Sequence, residues 1–152
     1  MSNDEILNRM IGRTFKSVTG QEGGDELIFL HEDGSSVKFF HGHECCESVS
    51  IEDIIGELKD LEGYPILKAE ERQSYNEVAD ESVSEGSNTW TFYEFATIKG
   101  SVTVRWYGTS NGYYSERVDI KECSLYENQK EQREDSFREL IGLPPKYGKG
   151  VV

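Results

Sequence analysis

No apolar run in the sequence approaches the roughly 18–20 residues that a membrane span requires. The opening Met1-Ser2-Asn3-Asp4-Glu5 is no signal peptide. Cysteine is scarce: three residues, an odd number with two of them adjacent, which argues against a disulfide framework. A soluble protein of a reducing, cytoplasmic compartment is the expectation. Basic residues are also few, 16 against 29 acidic ones, giving a formal net charge of -13 and a pI near 4.6. Such a surface repels DNA and RNA, whose binding rests on Lys and Arg displacing counterions. It equally avoids an anionic membrane face. Neither a nucleic-acid polymer nor a membrane is therefore expected as a partner. Gly-x-Ser-x-Gly, Gly-x-Gly-x-x-Gly and Gly-Lys-Ser/Thr are all missing, so nothing asks for an enzyme or a cofactor.

What is present fits one domain of 152 residues, long enough to bury about 68–70% of its unfolded surface. Ile6, Leu7, Met10 and Ile11 share a helical stripe over Asp4 to Ile11, and Gly12 follows as a cap. Arg13 to Thr19 reads as a strand. Asp25 to His41 reads as a hairpin whose two-residue Asp33-Gly34 turn pairs Leu30 with Val37 and Ile28 with Phe39. Ile51, Ile54, Ile55, Leu58 and Leu61 form a stripe that predicts a mid-chain helix over about 50–62, opened by Ser50 with Asp53 as a weak capping box. Ile66 to Arg72 returns as a strand, and 74–88 is a polar acidic loop. Thr89 to Phe95, Val102 to Tyr107 and Tyr113 to Ile120 carry the densest β signal, with turns at Lys99-Gly100 and Asn111-Gly112. A strict turn at Asn111-Gly112 would put Val102 and Val104 opposite Val118 and Ile120, so an irregularity is expected near Gly108. Phe137, Leu140 and Ile141 suggest a short C-terminal helix that Pro144-Pro145 stops. The expected fold is α+β with a mainly antiparallel sheet: a single domain over 1–125, then a charged helix and tail over 126–152.

Two clusters could carry chemistry. His41, His43, Cys45 and Cys46 offer imidazole and thiolate ligands for zinc, but their spacing lacks the second, distant pair of a structural site. The plainer reading is a strand end with small buried cysteines. The second cluster is Arg105, Trp106, Tyr107, Ser110, Asn111, Gly112, Tyr113, Tyr114 and Arg117. Aromatic faces stack on bases, Arg forks grip phosphate and Gly allows close approach. Strand packing, which favours Tyr and Trp anyway, is the alternative.

Three segments occur together in order: Leu7…Met10-Ile11-Gly12-Arg13-Thr14-Phe15, Glu44-Cys45-Cys46-Glu47-Ser48-Val49-Ser50-Ile51-Glu52 and Ser110-Asn111-Gly112-Tyr113-Tyr114. Across residues 5–121 the chain resembles small phage and prophage proteins, many of them uncharacterised. It is also similar to the Thoeris anti-defence sponge family, whose members sequester a cyclic ADP-ribose isomer or cyclic oligonucleotides without degrading them and form dimers or hexamers. The resemblance implies a non-enzymatic phage protein of the infected bacterial cytoplasm that holds a small cyclic nucleotide and is a homo-oligomer. Of the candidate residues, only the Ser110-to-Tyr114 turn matches the family. Trp106 and Arg117 are chosen from position. An acidic DNA-mimicking inhibitor of a host protein and, behind it, a cyclic-nucleotide hydrolase are the competing expectations.

Overall fold

A computed structural model describes residues 1–78 and 86–144. Helix α1 (Asn3–Met10) starts where the Ser2 hydroxyl accepts a hydrogen bond from the Glu5 N–H at 3.2 Å, satisfying one first-turn donor. Ile6, Leu7 and Met10 are buried, whereas Ile11 lies beyond the helix and is exposed. Among the described residues eight strands follow: β1 (Phe15–Thr19), β2 (Leu27–His31), β3 (Ser36–Phe40), β4 (Ser48–Ile55), β5 (Lys68–Val78), β6 (Gly86–Thr97), β7 (Gly100–Ser110) and β8 (Asp119–Cys123). Helix α2 (Leu125–Leu140) comes last. The strands form two antiparallel sheets, ordered β1-β2-β3-β8 and β4-β7-β6-β5.

The two sheets meet through aromatic rings. Phe29 lies 4.9 Å from Phe95 between ring centroids, and Phe39 lies 4.9 Å from Tyr93, in tilted and edge-on arrangements that suit the ring quadrupoles. Val102, Val104 and Trp106 add to this core from one sheet and Val118 and Ile120 from the other side, while α1 contributes its three buried side chains. Asn3 fastens α1 to the β8 edge: its amide donates to the Val118 carbonyl at 2.9 Å and its oxygen accepts from the Ile120 N–H at 3.2 Å. The result is mostly antiparallel sheet with an N-terminal and a C-terminal helix, α+β in outline.

Several expectations need correction. The mid-chain helix does not form: Ser48–Ile55 is strand β4, and only Leu58–Leu61 makes a single 3₁₀ turn. Val49 and Ile51 point inward with strand spacing, and a register irregularity between Ile51 and Asp53 then shifts the alternation so that Ile54 also packs on the core. A bulge inserts one extra residue, so two inward residues stand three apart and imitate a helical stripe. β-branched Val49, Ile51, Ile54 and Ile55 favour the strand.

The first hairpin is shifted by one residue. Phe29 pairs with Val37 and Leu27 with Phe39, because the loop has three residues, Glu32-Asp33-Gly34, with Gly34 at φ 89°. A type I turn followed by a left-handed residue is the usual three-residue hairpin. Leu27, Phe29, Val37 and Phe39 therefore face the core.

Tyr113 to Ile120 does not pair with Val102 to Tyr107. β7 and β8 belong to different sheets, and the chain crosses between them after Ser110. Val102 and Val104 reach the core from β7, Ile120 from β8 and Val118 from just before it, so no irregularity near Gly108 is required. The 74–88 loop is largely strand at its ends, β5 to Val78 and β6 from Gly86, and its middle lies outside the described residues. The C-terminal helix is longer than expected, since the Ser124 hydroxyl caps it by accepting from the Glu127 N–H at 3.2 Å. The tail beyond Pro144 lies outside the described residues.

Candidate functional site

The sheet β4-β7-β6-β5 has one face in the core and one toward solvent, and strand pairing fixes what stands on the open face. Ser50, Tyr107, Trp90 and Ser74 form one cross-strand row; Asp53, Arg105, Phe92 and Arg72 form the next. Trp90, Phe92 and Tyr107 are each half-buried. Trp90 sits 4.6 Å from Tyr107 and is stacked on Phe92 at 6.3 Å between centroids. The Arg105 guanidinium lies over the Trp90 ring at 5.4 Å, within range of a cation–π attraction. Ser50 and Ser74 stand at the two ends of the Tyr107–Trp90 row.

Asp53 holds Arg105 by a two-pronged contact, with the Nε–H donating to Oδ1 at 2.5 Å and Nη2 donating to Oδ2. That pairing raises the Arg105 pKa further, so the guanidinium stays charged. Arg72, on the far side of Phe92, is exposed and reaches Glu94 at 3.8 Å. Two guanidinium-bearing positions thus flank Phe92, two strands or roughly 9–10 Å apart.

The sequence-selected residues divide. Arg105 and Tyr107 stand on the platform. Trp106 does not: it is fully buried on the inner face, opposite Ile51 and Thr91, and its Nε1 has no hydrogen-bond partner. Alternation along β7 puts Trp106 with Val102 and Val104, and Tyr107 on the other face.

Ser110 is the last residue of β7, and Asn111, Gly112, Tyr113 and Tyr114 begin the crossing segment beyond it. Asn111 Oδ1 accepts from the Tyr113 N–H at 3.0 Å, so its amide shapes the turn, and Gly112 takes φ 93°. Tyr113 is 84% exposed and meets Tyr114 edge-on at 5.0 Å. Ser110 is committed inward, donating to Glu116 at 2.5 Å; Ser87 and Thr89 donate to the same buried carboxylate at 2.5 and 2.8 Å. Arg117 is exposed and lies 3.5 Å from Asp119. Its carbonyl contacts His41 Nδ1 at 2.7 Å.

The alternative zinc ligands are otherwise engaged. Cys45 and Cys46 are joined to each other by a disulfide, which spans one peptide and staples no distant segments, while Cys123 is free and buried. His43 Nε2 contacts the Glu47 carbonyl at 3.0 Å. Among the described residues no three His, Cys, Asp or Glu side chains converge as a metal site would need. The centre of this loop is instead Glu47, whose buried carboxylate accepts from the Cys45 and Glu44 N–H groups at 2.8 and 3.0 Å. Those bonds, the Cys45 one foremost, hold its pKa at about 2 against the opposing effect of burial. No helix among the described residues is long and apolar enough to cross a membrane.

Sequence reasoning missed Trp90, Asp53, Glu47 and Glu116. For Trp90 a signal existed: it shares alternation parity with Phe92 and Glu94, and the acid marks that face as the solvated one. Residues 8–120 match the family described as a domain of unknown function, DUF7448, and the chain belongs to that family. No curated protein and no solved structure matches it.

Proposed function

We propose that this DUF7448 protein binds a nucleotide-like small molecule on the open face of the β4-β7-β6-β5 sheet and holds it without breaking it. In the infected bacterial cytoplasm its ligand is the cyclic ADP-ribose isomer or cyclic oligonucleotide implied by the resemblance to phage sponges. The observation that supports this reading is the cluster of Trp90, Tyr107 and Phe92 on the open face, with Arg105 and Arg72 on either side of Phe92. Bases stack on such rings for about 1–3 kcal/mol each, and a charge-assisted hydrogen bond to phosphate adds about 1.5–3. Nanomolar capture needs about -12 kcal/mol, and one open face falls short once the entropic cost of association is included. A second copy closing over the ligand supplies the missing contacts, so the working form is a homo-oligomer.

A second reading, an acidic inhibitor that mimics DNA, draws on the net charge of -13. It is weakened by where some carboxylates sit: Glu47 and Glu116 are buried, and Asp53 is spent on Arg105.

The test is to incubate the purified protein with cyclic ADP-ribose isomers and cyclic oligonucleotides and to follow the filtrate by mass spectrometry, before and after heating the protein. A ligand that disappears and returns intact supports capture. New products would make the protein an enzyme, and an untouched panel would move the assignment to a protein partner. Trp90→Ala should weaken capture about 5- to 150-fold, the equivalent of ~1–3 kcal/mol of stacking. Capture unchanged in that variant would remove the platform from the argument.

A further inference from the structure

A second cleft lies away from the aromatic platform, between the C-terminal end of α1, the β2–β3 loop, the end of β8 and the start of α2. Its volume is about 540 Å³, within the range of small-molecule sites. Arg9, Arg13, Ser35, Glu122, Ser124 and Glu127 line it. In a chain with 16 basic residues against 29 acidic ones, two guanidinium groups converging in one cleft are a local arrangement and no part of a basic surface.

The hydrogen bonding there is incomplete. Arg9 Nη2 stands 3.4 Å from Glu122 Oε2 and Arg13 Nη1 stands 3.6 Å from Oε1, close enough for charge attraction. Oε1 is nevertheless buried and has no hydrogen-bond partner. Each guanidinium carries five N–H donors. The one side-chain hydrogen bond from these two among the described residues is a weak one from Arg9 to the Met1 sulfur. The cleft therefore presents unspent guanidinium donors beside a partly exposed carboxylate whose inner oxygen is closed off from solvent.

We propose that this cleft binds a hydrogen-phosphate group, either free phosphate or a phosphate monoester. Its oxygens accept from Arg9 and Arg13, and its remaining P–O–H donates to Oε2, the oxygen of the Glu122 carboxylate that is not closed off from solvent. The same geometry rejects sulfate. Sulfate has the size and charge for the two arginines but carries no proton near neutral pH, and it would set oxygen lone pairs against the Glu122 carboxylate. Glu127 at the cleft adds a second negative charge, which makes the unprotonated anion still less welcome.

The experiment is calorimetric titration of the full-length chain with inorganic phosphate and with sulfate at matched ionic strength near pH 6, with glycerol phosphate as the monoester arm. Phosphate should bind saturably and at least about tenfold more tightly than sulfate. Arg9→Gln, at an exposed side chain whose loss leaves the fold intact, should cost about tenfold or more, as loss of a charge-assisted fork does. Glu122→Gln replaces the acceptor by an amide that can also donate, and should bring the two anions to within about threefold of each other. Tighter binding of glycerol phosphate assigns the site to monoesters, and tighter binding of phosphate assigns it to the free ion. Equal affinity for sulfate in the unmodified protein, no saturable phosphate binding, or binding indifferent to Arg9→Gln would each overturn the proposal. The aromatic platform plays no part in this test, so either site can fail alone.

Discussion

At the scale of single residues, the informative side chains are those whose burial contradicts their polarity. Glu47 is a carboxylate buried in the loop between β3 and β4, ionised because two backbone N–H groups point at it. Its pKa of about 2 lies below the ordinary 4.5, so between those values the unfolded chain binds a proton that the folded chain does not. The stabilisation it gives is complete above about 4.5 and is lost as the pH falls toward about 2. Glu47→Gln should flatten that part of the acid profile: urea midpoints measured between these two pH values should fall less steeply in the variant than in the parent. Equal slopes would mean that Glu47 titrates alike in both states. Nothing in the local sequence advertised this role, since Glu44 and Glu47 read as a solvated acidic pair until the chain reversal around Cys45 turns one of them inward. Trp106 and Tyr107 are the opposite case. Counting alternation from Val102 and Val104 assigns Trp106 to the core and Tyr107 to solvent without any structure. What joined them in one candidate site was composition, which ignores which face a side chain occupies.

At the scale of elements, β4 explains why periodicity alone misled. Ile51 and Ile54 stand three apart in both a helical stripe and a bulged strand, and the pairing partner that induces the bulge, β7, lies some fifty residues downstream. The first hairpin failed for a similar reason: Asp33-Gly34 suits a two-residue turn, and one further loop residue, Glu32, slips the pairing by one, so that Leu27 and Phe29 rather than Ile28 and Leu30 share the core face with Val37 and Phe39. The N-terminal helix, the β character of Thr89 to Phe95 and the strand 15–19 were legible because each depends on local pattern alone. β4 is followed by Gly56, with φ 107° and an ideal Cβ only 2.6 Å from the Ser101 carbonyl oxygen. That close approach lets β4 run against the start of β7 before the chain turns into its 3₁₀ segment. Gly56→Ala combines an unfavourable backbone region with a backbone clash, and should destabilise the fold by about 2 kcal/mol or more, above the ~1 kcal/mol of an ordinary Gly-to-Ala effect. Chemical denaturation of the variant measures this, and an unchanged midpoint would show that β4 and β7 separate at no cost.

At the scale of the whole molecule, the net charge of -13 separates the two functional readings more sharply than any single contact. Two copies that close over a shared ligand bring like-charged surfaces together, and exposed charges repel over a Debye length of about 10 Å at 0.1 M salt and 3 Å at 1 M. Self-association is then opposed at low salt and relieved as salt rises. An acidic mimic gripping a basic host protein behaves in the other direction, because screening removes the attraction that drives it. Sedimentation of the protein with its captured nucleotide at about 0.03 M and about 0.3 M salt should therefore show more oligomer at the higher concentration, with retention of ligand rising alongside it. The expectation follows from apolar and stacking contacts at the platform, which salt leaves largely intact, set against long-range repulsion, which it weakens. Loss of the oligomer with added salt would point to an interface built from opposite charges, and would argue against a ligand held between the aromatic faces of two identical acidic subunits.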